Sequence, residues 1–219
     1  RRTFLKSAAL ATAFPLIIPS SVLGLGDSVA PSERVTVGNI GVGNRGTSNL
    51  KAFHHHKESQ VVAICDLDVQ YRDRAQQITE LDPANLYNNF EDVLARDDID
   101  AVCISTPDHW HAYITIAAAQ AGKDIYCEKP LSLTLDEGRK MVDQVNKAGR
   151  ILQTGTHRRS IDTVRRACEL VRNGRVGEVH TVHVAVPEGY AIRGGYTTND
   201  PVVPVPKGFD YERWLGSAP

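Results

Sequence analysis

Four short stretches hold the residues best placed to do chemistry. Gly41-Val42-Gly43-Asn44-Arg45-Gly46 is a G-x-G-x-x-G motif, and Asp66 follows twenty residues after Gly46. Ser105-Thr106-Pro107-Asp108-His109-Trp110-His111 gathers hydroxyls, a carboxylate and two imidazoles. Glu128-Lys129-Pro130 breaks the apolar run Ile125-Tyr126-Cys127. Alone, the glycine motif is a weak signal. Set between a strand and a helix, it has a concrete use. Gly41 makes the tight turn, Gly43 lets a pyrophosphate approach the backbone, and Gly46 lets the helix pack close to the sheet. The phosphates then meet free N–H groups at the helix N-terminus, so the whole loop, with Val42, Asn44 and Arg45, is assigned to a dinucleotide. Asp66 closes the second strand, where an acidic side chain accepts both ribose hydroxyls of an adenosine. A carboxylate there repels a 2′-phosphate and favours NAD over NADP. Its alternative use is to cap the helix that follows.

Thr106-Pro107 turns the chain out of the sheet, and Ser105, Thr106, Pro107, His109 and His111 crowd that edge as a wall on the nicotinamide side. The histidine pair does not make a zinc site, which needs i, i+4 spacing on a helix or a third ligand. His54-His55-His56 sits at a helix end, where cations suit the helix dipole. No metal is assigned. Lys129 has an ordinary alternative as a surface charge at a strand end.

The elements that must position these residues alternate. Strands are expected at Val35–Ile40, Val61–Cys65, Ala101–Ile104, Asp124–Cys127 and Ile151–Gln153. Helices are expected over Gly46–Phe53, about Val69–Ile78, and Ala112–Ala121. A further helix opens on Thr134 and Glu137 at capping-box spacing and stops at Gly149. Several strands are unbroken apolar runs, as parallel sheets bury on both faces. The fold class is therefore α/β, a doubly wound parallel sheet with right-handed crossovers. Ligands bind such sheets beyond the carboxyl ends of the strands, which puts Lys129 on the ligand edge. Past Thr156 the pattern changes to one helix near Ile161–Val171, a half-exposed strand over Val179–Val186, and turn-rich sequence.

A net charge of −1 gives no electrostatic reason to expect nucleic acid or an anionic membrane as partner. The four cysteines lack C-x-x-C spacing, and three lie in apolar strands as small buried hydrophobes. Residues 1–30 read as an export signal: Arg1-Arg2-Thr3-Phe4-Leu5-Lys6, then an Ala/Leu/Ile-rich stretch. The arginine pair is similar to a twin-arginine motif. Pro15 and Pro19 interrupt the apolar run and argue against a permanent membrane span. A periplasmic location is expected in preference to the cytoplasm.

Together G-V-G-N-R-G, C-D, S-T-P-D-H-W-H, C-E-K-P and the closing W-L-G-S-A-P resemble the glucose–fructose oxidoreductase/inositol dehydrogenase (Gfo/Idh/MocA) family, from about Pro31 to Pro219. E-K-P at a strand end is the most specific element of the resemblance. It implies a nucleotide-binding domain over 31–157 and the incomplete start of a second α/β domain over 158–219. It also implies a homo-oligomeric parent that moves hydride to or from a secondary alcohol carbon of a sugar or polyol. In that family the E-K-P lysine touches the reacting hydroxyl, and Lys129 matches it. Beside a positive nicotinamide and partly desolvated, such a lysine is poised for proton transfer. Glu128 is placed to orient it or hold the cofactor, and a cis peptide before Pro130 fits the turn. Arg159 matches a family arginine near the substrate, with a domain-interface ion pair as its alternative. The family's D-x-x-x-H pair does not occur after Trp214, so the chain is expected to be a piece of a longer protein. Two other readings stand beside the dehydrogenase. One is a retaining glycosidase that uses NAD catalytically, although such relatives commonly lack the E-K-P lysine. The other is a non-catalytic nucleotide-binding module.

Overall fold

The computed structural model describes residues 23–25, 29–185 and 201–218. Most of the expected export segment lies outside the described residues, as do Val186 and residues 187–200 of the turn-rich stretch that follows it. Among the described residues no helix is long and apolar enough to cross a membrane.

The strands are β1 (Val35–Ile40), β2 (Ser59–Cys65), β3 (Leu86–Tyr87), β4 (Ala101–Ile104), β5 (Asp124–Glu128) and β6 (Leu152–Gly155). They form one sheet in the order β3-β2-β1-β4-β5-β6, and every pairing is parallel. The helices are α1 (Asn44–His55), α2 (Val69–Thr79), α3 (Phe90–Leu94), α4 (Asp108–Gln120), α5 (Leu135–Ala148), α6 (Asp162–Arg172) and α7 (Tyr211–Leu215). This is the doubly wound order, with the direction of winding reversing between β1 and β4. That reversal opens a crevice at the carboxyl ends of those two strands.

The apolar runs do what parallel strands require. Ile40, Val102, Ile104 and Ile125 pack with Ile114 of α4 and Val145 of α5. A second cluster joins Val42, Val61 and Ile64 to Leu50 of α1 and Ala75 of α2. Cys65, Cys103 and Cys127 are buried and unpaired, while Cys168 is exposed. At the start of α5 the Thr134–Glu137 capping box is formed in both directions, and Gly149 ends the helix in the left-handed conformation.

The chain departs from the sequence pattern in three places. β3 and α3 are too short to show a periodicity. The strand expected over Val179–Val186 is absent from residues 179–185; neither of its faces is cleanly apolar, and it joins neither edge of the described sheet. Finally, residues 206–216 return as a strap to the chain that follows β2. Val69 N–H donates to Gly208 O and Asp210 N–H to Leu67 O, each at 3.0 Å. An isolated antiparallel bridge pairs Asp68 with Phe209.

Candidate cofactor and active site

The loop after β1 is built as tightly as its glycines allow. Gly41 has φ +81°, and a Cβ there would lie 2.8 Å from the Ser105 carbonyl group. At Gly46 a Cβ would lie 2.1 Å from Gly41 O, so α1 touches the turn that precedes it. Gly43 differs: the nearest atoms to a Cβ there belong to the Tyr71 ring, 3.8 Å away. The space over Gly43 is thus left to something other than the protein. No side chain caps the first turn of α1, so its N–H groups are available to an anion.

Asp66 stands beside this loop. Its Oδ2 accepts the Val42 N–H at 2.7 Å and its Oδ1 accepts the Asp68 N–H at 3.0 Å. Burial pushes its carboxyl above the ordinary value, the two N–H donors pull it back in part, and the nearby Asp68 charge adds to the rise. Capping of α2 falls to Asp68, whose side chain accepts from Gln70 N–H at 2.8 Å. Asp66 is therefore not used as a helix cap.

β5 delivers Glu128 and Lys129. The Glu128 carboxylate is almost fully buried, and its Oε1 accepts from Arg45 Nε at 2.7 Å and Asn49 Nδ2 at 3.1 Å. Its Oε2 accepts the Lys129 N–H at 3.2 Å. Burial alone would raise this carboxyl. The hydrogen bonds from Arg45, Asn49 and the Lys129 N–H, with the guanidinium charge, outweigh burial and hold it below the ordinary range. The glycine loop and the E-K-P turn are thus joined through one ion pair. The Lys129–Pro130 peptide bond is cis. His111 ties the same turn to the loop after β4: its Nδ1 lies 2.6 Å from Pro130 O and its Nε2 lies 2.9 Å from Thr106 O. The ring donates to one of these carbonyls in either neutral tautomer.

Two cavities flank Ser105 and Thr106. One, of about 490 Å³, is lined by Gly41, Gly43, Asp66, Pro107 and Trp110 among others. The other, of about 810 Å³, is lined by Arg45, His111, Glu128, Lys129 and Arg159 among others. The Thr106 hydroxyl, on the wall common to both, is buried without a hydrogen-bond partner. A buried hydroxyl left unpaired is costly unless a ligand completes it. That orphan, the open space over Gly43, the uncapped helix and the carboxylate of Asp66 fit a dinucleotide laid from the first cavity toward the second.

A family model described as "Oxidoreductase family, NAD-binding Rossmann fold" (GFO_IDH_MocA) matches residues 35–156, more than half the chain. The chain belongs to the Gfo/Idh/MocA family. Among similar proteins is a glycosyl hydrolase family 109 protein of Shewanella pealeana, 38% identical over a match covering 67% of this chain and 37% of that protein. The match thus spans well under half the length of this relative. A solved structure of myo-inositol 2-dehydrogenase from Lactobacillus plantarum has a TM-score of 0.62 and 29% identity, covering 67% of this chain and 43% of that one. An NAD-binding protein from Listeria innocua has a TM-score of 0.61 and 25% identity, covering 67% and 41%.

In this Gfo/Idh/MocA chain the predicted site residues divide between the two cavities. Gly41, Gly43, Asp66 and Pro107 line the first, Arg45, His111, Glu128, Lys129 and Arg159 line the second, and Ser105 and Thr106 line both. Val42 and Gly46 are buried within the loop and the first turn, and the exposed Asn44 opens α1. His109 goes elsewhere: α4 begins at Asp108, so His109 and His111 are about 200° apart around a helix. His109 Nε2 meets Trp214 O at 3.0 Å instead of facing Lys129. Sequence reading missed Asn49, which holds Glu128 from α1, and the strap residues Phe209 and Trp214, which line the first cavity. Asn49 lies three residues beyond Gly46 in the helix expected over Gly46–Phe53, with nothing near it in sequence to mark it. The crowding of Phe209, Tyr211 and Trp214 around W-L-G was the available signal for the strap.

Proposed function

We propose that the parent protein is an NAD-dependent oxidoreductase acting on a secondary alcohol carbon of a sugar or polyol. The observation that carries this reading is the position of Lys129. It follows the buried end of β5 and lines the cavity that shares Ser105 and Thr106 with the dinucleotide cleft. When bound, NAD accepts or returns the hydride. Lys129 takes or gives the proton of the substrate hydroxyl, while Glu128, Arg45 and Asn49 hold the turn that carries it. Arg158 and Arg159 line the same cavity and offer donors to a hydroxyl-rich substrate. Asp66 favours NAD over NADP, since a second negative charge at the 2′ position would face a carboxylate. An exported, periplasmic, homo-oligomeric parent completes the reading.

The likeness to glycosyl hydrolase family 109 proteins favours a second reading, a glycosidase using the same bound cofactor. One experiment separates them. The full-length protein is mixed with NAD and a panel of polyols, sugars and aryl glycosides, following nicotinamide reduction and aglycone release together. Net reduction by a free polyol or sugar supports the dehydrogenase. Aglycone release without net reduction refutes it in favour of the glycosidase.

A further inference from the structure

Deepening the cofactor reading above, on which it rests, we infer that the strap over residues 206–214 is the adenine wall of the dinucleotide cleft. Docking of the strap and binding of the cofactor are then one linked equilibrium. Pro206, Phe209, Arg213 and Trp214 line the same cavity as Asp66. A ribose held by Asp66 places its base one glycosidic bond away, and the rings lining that cavity are those of Tyr71, Phe90 and Trp110 together with Phe209 and Trp214 of the strap. Phe209 and Trp214 lie 6.0 Å apart between ring centroids, and Trp214 stacks on Tyr211. Flat, polarisable walls suit a purine, because stacking uses the π-face that every base presents.

The strap is fastened to the two segments that bound the cleft. On one side it bonds to the backbone of Leu67 and Val69, directly after Asp66. On the other, Trp214 O accepts from both His109 Nε2 and Trp110 Nε1 at 3.0 Å. Arg213 pairs with Glu91 and lies over the Phe90 ring. Gly216 permits the approach: a Cβ there would stand 2.5 Å from the Trp110 ring. His109, which does not reach the Lys129 cavity, thus gains a use as a strap anchor. A ligand that binds only the docked form stabilises docking, and docking strengthens the ligand by the same factor.

The test uses the 219-residue chain, three ligands and two readouts. NAD, ADP-ribose and nicotinamide mononucleotide are titrated calorimetrically against wild type, Phe209→Leu, Phe209→Tyr and Trp214→Leu. Loss of an aromatic platform should weaken NAD and ADP-ribose by roughly 5- to 150-fold. Phe209→Tyr should retain their affinity, and nicotinamide mononucleotide should bind all variants alike. Hydrogen exchange on the wild-type chain should show strap amides slowed by ADP-ribose and untouched by nicotinamide mononucleotide. This second readout needs no variant, so a misfolded substitution does not remove it. If wild type binds ADP-ribose but the strap exchanges at the same rate with and without it, the linkage is refuted. Unchanged affinity in the leucine variants refutes the adenine wall. If wild type binds neither NAD nor ADP-ribose, the cofactor reading itself fails, a distinct outcome.

Discussion

Cutting the Arg45–Glu128 pair should reveal how firmly the glycine loop and the E-K-P turn are held together. Glu128→Ala removes the acceptor of three hydrogen bonds, from Arg45, Asn49 and the Lys129 N–H. Asn49 is itself buried, so its amide loses its charged partner and keeps only the Ser105 hydroxyl at 3.0 Å. Arg45 is 41% exposed along its side chain and turns to solvent. Hydrogen bonds to charged groups contribute about 1.5–3 kcal/mol each. With the Arg45 share discounted for solvent, the expected loss is about 3 kcal/mol. At about 2–4 °C per kcal/mol for a chain of this size, Tm should fall by about 6–12 °C.

A double-mutant cycle with Arg45→Ala isolates the pair. Its coupling should be about 1–2 kcal/mol, above an exposed ion pair and below a fully buried one. The pH dependence has a definite sign. The Glu128 carboxyl is held below its ordinary value in the folded chain. Its contribution is therefore present above the unfolded value of about 4.3 and is lost as pH falls through the lower folded value. The stability gap between wild type and Glu128→Ala should be constant from neutrality to about pH 5 and shrink below pH 4. Thermal melts of the four cycle members at neutral pH and a wild-type/Glu128→Ala series down to acid pH decide the matter. Coupling under about 0.3 kcal/mol, the level of ordinary non-additivity, or a gap indifferent to acid, would refute the reasoning.

Other substitutions test the cofactor, the chemistry and the leader. Asp66→Ala should weaken NAD by about 1.5–3 kcal/mol in a calorimetric titration. Because the Asp66 carboxyl is raised by burial, wild-type affinity should begin to fall, on acidification, at a pH above the ordinary carboxylate range. In the full-length protein Lys129→Ala should lower turnover by roughly 10²–10⁴ in a steady-state assay while NAD affinity changes little. If NAD binding collapsed too, Lys129 would be a cofactor ligand and not the proton-transfer group. Residues 1–40 fused to a reporter should be exported to the periplasm, and export should stop when Arg1 and Arg2 are replaced by Lys. Unchanged export after that swap would exclude the twin-arginine route.

Much of the dinucleotide-binding half is legible because its signals are local. Val35–Ile40 and Ala101–Ile104 are strands at the bounds their apolar runs predict, and the Thr134–Glu137 box opens α5 where its spacing says. The glycine loop and Asp66 follow from a motif whose parts all lie within one βαβ unit. What escaped depends on distance in sequence or on phase. Asn49 is polar and buried because Glu128, far along the chain, needs a donor there. His109 and His111 look like neighbours in a loop, yet about half a helical turn sends them to different partners. The strap carries a dense run of aromatics, but only the fold reveals that their counterpart is the edge beside Asp66.

The strap also sets a timetable for synthesis. Every strand of the sheet has been made once Gly155 is added, but Trp214 follows 59 residues later. At about 5–20 residues per second, a nascent domain would wait about 3–12 seconds with one side of its nucleotide cleft still unbuilt. During that interval Trp110 and Leu67 have no strap over them, and the nascent chain presents an apolar notch to whatever first meets it outside the ribosome.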